Sequence, residues 1–417
     1  MSDTKQHVHT KQRGSWYWYF EKAKVNGKRQ REEKGGYATQ QEAYEAGCQA
    51  YEHYQNGGRQ EHSQRISFSD FLDTWYERTR LYARNNTLEA REKNIRLHLK
   101  PKLGSYYLAA LSPKLIEEFV REKREAGYSF ETVDRMLSCI RTALDYAIWP
   151  MELLKDNPAR LIRTPGRNFA PLTNREPRRR IEDSELIQIF ERYPFANTYH
   201  MPLVVGLYFG LRIGEALAAS WPLCDFDTGL LAIRQQIQRL SMKGHRSLHY
   251  FCEVKTEESR RTLRFEGNVA RELARWKHQQ AENELYYGAD YYYNYLVPAK
   301  DYQGRDIQRI VSSPKCLPVA GRKLDLICTQ PNGKYIKPCS MAHTCTVIRQ
   351  MGIHGFDFHC LRCTNLTMLG EDGGTVNEIK ARAGHTDYRT SEIYIKTRTD
   401  MQSRPIQMLE HKLKGII

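Results

Sequence analysis

The N-terminal segment contains a run of aromatic side chains that is typical of a β-strand. The run extends from Trp16 to Phe20, and mostly polar residues follow it up to the Asn26-Gly27 pair. Asn-Gly is a strong signal for the turn of a β-hairpin, and Gly35-Gly36 closes a second short run of strand-like sequence. The pattern therefore predicts a small sheet near the start of the chain.

A helix is predicted to follow this sheet. Thr39 and Glu42 have the spacing of a capping box, in which each side chain accepts a hydrogen bond from the backbone of the other residue. The helical pattern continues through three tyrosines toward Gly57-Gly58, a pair that marks a linker. We therefore expect a first domain of strands plus one helix over residues 1–60.

Residues 65–163 have the apolar spacing of helices throughout. Ser112-Pro113 and Ser129 are helix-start signals, because serine caps the first turn and proline is tolerated at the first helical position. The apolar side chains that recur three or four positions apart include Phe68, Phe71, Leu72, Trp75, Leu88, Ile95, Leu99, Val133, Leu137, Ile140, Leu144 and Ile148. The pattern predicts an all-α domain of about four helices.

A basic, proline-rich linker is predicted over residues 164–180. It ends in three consecutive arginines, Arg178, Arg179 and Arg180. Such a segment suits an exposed linker that lies along DNA phosphates, and an ordinary solvated charge run is equally consistent with it. We treat the three arginines as candidate DNA contacts.

Residues 181–417 mix helical and strand-like patterns. An apolar run over Met201–Leu211 is typical of a buried helix, and the tyrosine-rich stretch Tyr286–Tyr295 is short enough for a loop or a helix surface. The β-prone runs cover Leu230–Leu240, Leu248–Val254 and Arg260–Phe265. The sequence thus predicts a multidomain protein, mainly α with small β-sheets, whose last domain is mixed α+β.

The charge of the chain narrows the class of partner. Lys and Arg number 64 against 49 Asp and Glu, a net charge of +15, and an excess of that size points to a polyanion such as nucleic acid.

No apolar run reaches the roughly 18 residues of a membrane-spanning helix, and the polar first residues do not resemble a secretion signal. Ten scattered cysteines indicate thiols in a reducing compartment. We expect a cytoplasmic protein without membrane attachment.

Two short motifs could supply cations to a phosphate. Glu215 lies three residues after Arg212, on the same face of a predicted helix. The Glu215 carboxylate could therefore hold the Arg212 guanidinium while this guanidinium donates two hydrogen bonds to a phosphate. Lys255 lies near the tip of a predicted β-hairpin, where a lysine could act as a mobile proton donor, and Arg260 is a further candidate DNA contact. Taken singly, each motif is more typical of ordinary surface residues.

Two later motifs add titratable side chains. His359 and Arg362 lie three residues apart and share a helical face, which places an imidazole beside a planar cation. Gly384-His385 and then Tyr394 follow. A lone tyrosine is more often a core residue than a nucleophile, and Tyr388 is a rival that lies too close to His385 to turn back to the same phosphate.

The order and spacing of these residues resemble the signature of the tyrosine recombinases, which include phage and conjugative-transposon integrases. The matching positions are Arg212, Lys255, His359, Arg362, His385 and Tyr394. The helical domain is similar to the family's core-binding domain, and the N-terminal segment to its arm-binding domain. Cys360 and Cys363 depart from the family pattern, and the stretch between Lys255 and His359 is longer than in minimal members.

The resemblance implies an integrase that integrates or excises a mobile element. Tyr394 would attack a DNA phosphate to give a 3′-phosphotyrosyl bond, with Arg212 and Arg362 neutralising the phosphate. No metal, cofactor or ATP would be needed. Four subunits would act on double-stranded DNA at core and arm sites, near the bacterial nucleoid, and an excisionase and a host DNA-bending protein are accessory partners that the resemblance allows.

The remaining positions take the proton-transfer and hydrogen-bonding roles that the resemblance implies. His385 would donate a hydrogen bond to a non-bridging phosphate oxygen. His359 would accept the proton of the tyrosine, whose unperturbed pKa is roughly 10. Lys255 would protonate the departing 5′ oxygen.

Other functions stay open on the residues alone. A zinc site could use Cys360-x-x-Cys363 with the Cys and His residues between Cys339 and Cys345, but only one pair has regular spacing. A DNA-binding regulator without cleavage and a type IB topoisomerase would share the same fold or chemistry. RNA binding by stacking on Trp16 or Trp18 is a further alternative, although such aromatics more often fill the core of a small sheet.

Overall fold

A computed structural model describes residues 7–55, 66–80, 82–166, 179–241, 247–254 and 256–384. The chain divides into two compact units, residues 1–174 and residues 175–417. The first unit contains a small sheet with one helix and then a helical domain. The second unit contains helices and two antiparallel sheets. The predicted fold class, multidomain and mainly α with small sheets, is confirmed.

The first unit begins with a three-stranded antiparallel sheet in the order β1-β2-β3. Its strands are β1 (His9–Arg13), β2 (Ser15–Val25) and β3 (Lys28–Tyr37). Asn26 and Gly27 have φ angles of 52° and 71°, as a two-residue hairpin turn that follows the strand twist requires. The predicted hairpin is therefore present, and β1 is a strand that the polar sequence did not predict.

Helix α1 (Gln40–Gln55) packs on this sheet through aromatic side chains. The Thr39 hydroxyl accepts from the backbone N–H of Glu42, and the Glu42 carboxylate accepts from the backbone N–H of Thr39, each at 3.2 Å. The predicted capping box is thus confirmed. Trp18 is buried and stacks on Phe20, so the structure favours a core role for this tryptophan.

Four helical segments form the second part of the first unit. The first is α2 (Phe68–Thr79), and the second is continuous and consists of α3 (Asn85–Asn94), a π-helical turn (Ile95–Leu99) and α4 (Lys100–Leu103). The third and fourth are α5 (Pro113–Glu125) and α6 (Phe130–Ile148). Ser112 and Ser129 accept hydrogen bonds from the backbone of their first turns. The start signals read from the sequence therefore mark the true helix starts.

The second unit is built from helices around two antiparallel sheets. Its helices are α7 (Asp183–Arg192), α8 (His200–Tyr208), α9 (Ile213–Ala218), α10 (Gly267–Tyr287), α11 (Pro338–Gln350), α12 (Phe358–Glu371) and α13 (Val376–Ala383). A Cβ atom at Gly206 of α8 would lie 2.6 Å from the Phe358 ring of α12. The glycine therefore lets α8 and α12 pack closely.

The two sheets have the strand orders β11-β9-β10-β7-β6 and β4-β5-β8. Their strands are β4 (Cys224–Asp225), β5 (Leu230–Ile233), β6 (Gln235–Leu240), β7 (Leu248–Glu253), β8 (Arg261–Arg264), β9 (Tyr292–Lys300), β10 (Asp306–Pro314) and β11 (Arg322–Leu324). Tyr286 and Tyr287 end α10, whereas Tyr292 begins β9. A loop or helix surface was therefore the wrong prediction for the second half of this tyrosine-rich stretch, which lies in a strand.

The strands on either side of Lys255 do not pair with each other. Ile233 of β5 pairs with Arg261 of β8, and Gln235 of β6 pairs with Glu253 of β7. Within the described ranges, the predicted β-prone runs Leu248–Val254 and Arg260–Phe265 therefore do not form a hairpin with each other, because each pairs with a part of the first run, Leu230–Leu240. Lys255 itself lies outside the described residues, so its place near a turn stays a prediction.

None of the helices in the described ranges is long and apolar enough to cross a membrane. The most apolar of them, α8, has only nine residues, and most of its side chains lie in the core of the second unit. The apolar run that begins at Met201 is therefore a buried helix, as the sequence predicted, although it stops at Tyr208 and not at Leu211.

Candidate active site

Arg212 lies immediately before α9 and not on α8, the apolar helix that precedes α9. Gly210 lies in the turn between α8 and α9 and has a φ of 61°. The Glu215 carboxylate accepts from the Arg212 backbone N–H at 3.2 Å and from its Nη1 at 2.8 Å. Arg212 and Glu215 therefore meet as a helix cap, which corrects the prediction that they share a helical face.

Glu215 bridges two arginines in the interior of the second unit. Its side chain is 3% exposed, and its second oxygen, Oε2, accepts from Nη2 of Arg261 at 2.8 Å. Burial alone would raise the pKa of this carboxyl, but the attraction of Arg261 and Arg212 outweighs it, so the pKa of Glu215 lies below its usual value. Glu215 therefore stays ionised and holds the side chain of Arg212.

Arg362 is fully buried, with an exposure of 0%. It lies in the second turn of α12. Its Nη1 donates to the Gly210 carbonyl at 2.8 Å, and its Nη2 donates to the Ala383 carbonyl at 2.6 Å. Arg362 thus joins the turn before Arg212 to the end of α13. In this arrangement the guanidinium is closed off from solvent.

His359 lies in the first turn of α12, one turn before Arg362, and its side chain is half-buried. Asp357 caps the start of this helix, and its backbone N–H donates to the Cys360 sulfur at 3.4 Å. Cys360 and Cys363 are both buried. Across the described ranges, no three His, Cys, Asp or Glu side chains are grouped so that they could hold a metal ion.

The end of α13 packs directly on the segment that precedes β8. Gly384 has a φ of 64°, and a Cβ atom there would lie 2.8 Å from the Glu258 carbonyl oxygen and 3.1 Å from Ser259 Cα. Only glycine fits both this backbone conformation and this close approach. His385 is the next residue in the chain, so the position of Gly384 fixes where the backbone of His385 is attached.

Several predicted residues lie outside the described ranges. They are Arg178, Lys255, His385, Tyr388 and Tyr394. The segments that lead to two of them, at Val254 and Gly384, are described. The structure thus brings Arg212, Glu215 and Arg362 together with the chain segments next to Lys255 and His385.

The other candidate DNA contacts form ion pairs within the chain. Arg179 pairs with Glu185 at 2.5 Å. Arg180 is close to three carboxylates, those of Glu182, Asp183 and Glu371. Arg260 pairs with Glu253 and Glu257. A DNA-binding role for these arginines remains a prediction, and such contacts would compete with the ion pairs.

Arg261 is a site residue that sequence reasoning missed. The position of Arg260 close to Lys255 in the sequence made this exposed neighbour the candidate DNA contact, although the pattern of β8 distinguishes the two arginines. Residues alternate between buried and exposed along this strand, and Arg261 has the same parity as the apolar Leu263 and Phe265. A period of two would therefore have placed Arg261 on the buried face.

Replacing Glu215 with glutamine should destabilise the protein. The change leaves the charge of Arg261 buried without its carboxylate, which costs about 3 kcal/mol in the free energy of unfolding. Because the folded-state pKa of Glu215 is lowered, its contribution is present at neutral pH and is lost as the pH falls through that lowered value. Urea unfolding of the wild type and Glu215→Gln over a series of pH values from pH 7 downward measures both effects.

The matched control is Glu257→Gln, whose side chain is 81% exposed and pairs with Arg260 at 3.4 Å. An exposed pair of this kind contributes within about 1 kcal/mol. Equal stability of Glu215→Gln and the wild type at pH 7 would contradict the bridging role of this carboxylate.

Comparison with known proteins places the geometry in context. Residues 67–124, within the helical domain, match the family described as phage integrase, N-terminal SAM-like domain. No curated protein sequence matches the chain. Among solved structures, the Tn1549 transposon integrase in complex with a circular intermediate DNA is similar with a TM-score of 0.61 and 15% identity, covering 82% of this chain and 99% of the other.

Lambda integrase structures are similar over more of this chain. A lambda integrase dimer bound to a core site matches with a TM-score of 0.53 and 13% identity, covering 96% of this chain and 97% of the other. A lambda integrase tetramer bound to a Holliday junction matches with a TM-score of 0.51 and 12% identity, over 95% and 96% of the two chains. The chain therefore has the fold of the transposon and phage integrases, and its residues 67–124 match the phage integrase N-terminal SAM-like family, which confirms the resemblance to the tyrosine recombinases.

Proposed function

We propose that this protein is a site-specific DNA recombinase that cleaves and rejoins DNA through Tyr394. The observation that carries the proposal is the double connection made by Arg362, which joins the turn before Arg212 to the end of α13 just before His385. Motifs more than 150 residues apart in sequence thereby meet around one buried guanidinium. Their chemistry suits a phosphodiester.

Charge neutralisation is the first requirement of this reaction. A phosphodiester is a poor electrophile because its negative charge repels a nucleophile, and preorganised cations offset the charge that develops in the transition state. Arg212 is held by Glu215 and remains 40% exposed, so it is available to a phosphate. In the proposed mechanism Arg362 becomes available when the DNA complex forms, and His385 adds a hydrogen bond to a non-bridging oxygen.

Proton transfer is the second requirement. The hydroxyl oxygen of Tyr394 attacks phosphorus, and His359 accepts the hydroxyl proton. The bond from phosphorus to the 5′ oxygen breaks, and Lys255 protonates that oxygen as it leaves. The product is a 3′-phosphotyrosyl ester, which conserves the energy of the broken phosphodiester, so rejoining to a new 5′ hydroxyl needs no ATP.

Assembly follows from the need to exchange strands between two duplexes. We propose that four subunits bind double-stranded DNA, with the helical domain at the core site and the N-terminal sheet at an arm site. The Tn1549 and lambda integrases of similar fold have been solved on DNA, the latter as a tetramer on a Holliday junction. The substrate would be the ends of a mobile element, with an excisionase and a host DNA-bending protein as accessory partners in the bacterial nucleoid.

A plasmid carrying two directly repeated attachment sites, cloned from DNA that flanks the gene, tests the proposed function. We expect the purified protein to delete the segment between the sites without ATP and with undiminished yield in EDTA, since side chains supply the cations. The deletion is measured by amplification across the joined site. Tight, sequence-specific binding without any deletion or cleavage would favour a DNA-binding regulator of the same fold.

A further inference from the structure

Arg261 is a buried arginine whose three guanidinium nitrogens all donate hydrogen bonds. Its Nη2 donates to Glu215 Oε2 at 2.8 Å, its Nε to the Arg382 carbonyl at 2.7 Å, and its Nη1 to the Ser259 carbonyl at 3.1 Å. The side chain is 5% exposed. DNA therefore cannot be its partner in this arrangement, and its contacts are all internal.

Each of the three contacts reaches a segment that leads to a proposed catalytic residue. Glu215 holds the guanidinium of Arg212. The Arg382 carbonyl lies in the last turn of α13, just before Gly384 and His385. Ser259 lies four residues after Lys255 in the sequence. A single side chain thus fixes the relative positions of three segments that are far apart in sequence.

Close packing independently brings two of these segments together. A Cβ atom at Gly384 would lie 3.4 Å from Cδ of Arg261, in addition to its contacts with Glu258 and Ser259. Gly384, which ends α13, therefore rests on Arg261 and on the backbone just before Arg261. A shift of this side chain would be transmitted directly to Gly384.

Arginine is suited to this position for two physical reasons. Its planar guanidinium presents donors in fixed and divergent directions, whereas lysine is a compact charge on a flexible stem. Its positive charge also lies against a carbonyl at the C-terminal end of a helix, where the helix dipole favours a cation. Glutamine would keep some hydrogen-bonding capacity but would leave Glu215 with one cation fewer.

We infer that Arg261 is a positioning residue for strand cleavage, which aligns Arg212 with the segments that carry Lys255 and His385. The inference rests on the proposed recombinase function. Arg261 acts through Glu215 and through backbone carbonyls and does not touch the DNA. Its loss should therefore slow the chemical step while DNA affinity stays nearly constant.

Single-turnover cleavage of a nicked suicide duplex tests this inference on the full chain. Arg261→Gln should form the covalent adduct about 100-fold more slowly than the wild type, because a misplacement of about 1 Å has an effect of this order. Its Kd for the same duplex, measured by gel shift, should stay within about threefold of the wild-type value. Arg261→Lys should recover part of the lost rate, since it restores the charge beside Glu215.

The matched control is Arg264→Gln on the same strand, where the arginine side chain is 76% exposed; its rate should equal that of the wild type. If Arg261→Gln does not fold, Arg261→Lys decides the question by the same comparison of rate and affinity. Normal wild-type cleavage with an unimpaired Arg261→Gln, or parallel losses of cleavage and DNA binding, would overturn the positioning role alone. A wild type that binds the duplex but forms no adduct would overturn the proposed function, which this role requires.

Discussion

Replacing Tyr394 with phenylalanine should abolish the covalent adduct with DNA while leaving DNA affinity unchanged. The substitution removes one oxygen atom, the proposed nucleophile, and leaves the aromatic ring in place. Losing the nucleophile of a covalent mechanism typically lowers the rate by at least about 10⁴-fold. Denaturing gels of a nicked suicide duplex measure the adduct, and gel shifts measure the affinity.

Tyr388→Phe is the matched control for this experiment, because it makes the same chemical change six residues earlier. We expect it to form the adduct at the wild-type rate. An adduct that persists in Tyr394→Phe and disappears in Tyr388→Phe would instead assign the nucleophile to Tyr388, and the spacing argument from His385 would be wrong.

Replacing Arg362 with glutamine should give the second largest effect, a loss of about 1000-fold in the cleavage rate. Removing one preorganised group that stabilises transition-state charge lowers a rate by about 100- to 1000-fold. Arg362 also joins the Gly210 carbonyl to the Ala383 carbonyl, so its loss should misplace the segments that lead to Arg212 and His385. The upper end of the range is therefore expected.

Asn365→Ala, on the same helix, separates these two contributions. Asn365 donates to the Tyr208 carbonyl at 2.9 Å and accepts from Nε of Arg382 at 3.2 Å, so it too links α12 to the chain before Gly210 and to α13. It brings no charge. We expect Asn365→Ala to lose less activity than Arg362→Gln at similar thermal stability, and equal losses would mean that Arg362 acts only as a structural connection.

The helical domain could be predicted from the sequence because its signals are local. Ser112 and Ser129 each cap the helix that begins at the next residue, and the Asn26-Gly27 turn follows from backbone preferences of two adjacent residues. Short-range capping and turn chemistry depend on only a few neighbouring side chains. The sequence alone was therefore enough to place these elements.

The candidate site could be predicted only in part, because its contacts are long-range. The signature residues were found by order and spacing, but the partners of Arg362 lie 152 and 21 residues away in sequence. The predicted hairpin between the β-prone runs before and after Lys255 was wrong, because β8 pairs with β5 and β7 pairs with β6. Strand partners cannot be read from the alternation within one strand, so two runs that are close in sequence were assigned to each other.

The choice of Arg260 over Arg261 shows the same limit at the scale of one residue. Arg260 and Arg261 carry the same charge and are adjacent in the sequence. Arg260 pairs with exposed carboxylates, whereas Arg261 lies inside and meets Glu215, 46 residues earlier, and the Arg382 carbonyl, 121 residues later. An excess of basic residues indicates the type of partner only where the side chains are exposed, and the alternation along β8 shows which residues of the strand are exposed.

The proposed covalent bond between protein and DNA can be measured directly. The wild-type adduct on a nicked suicide duplex would be digested with a protease and a nuclease, and the residual nucleotide located on the peptides by mass spectrometry. We expect a nucleotide attached through its 3′ phosphate to Tyr394, together with a released strand that carries a free 5′ hydroxyl. A nucleotide on another residue, attachment through a 5′ phosphate, or binding with no covalent product would contradict the proposed mechanism.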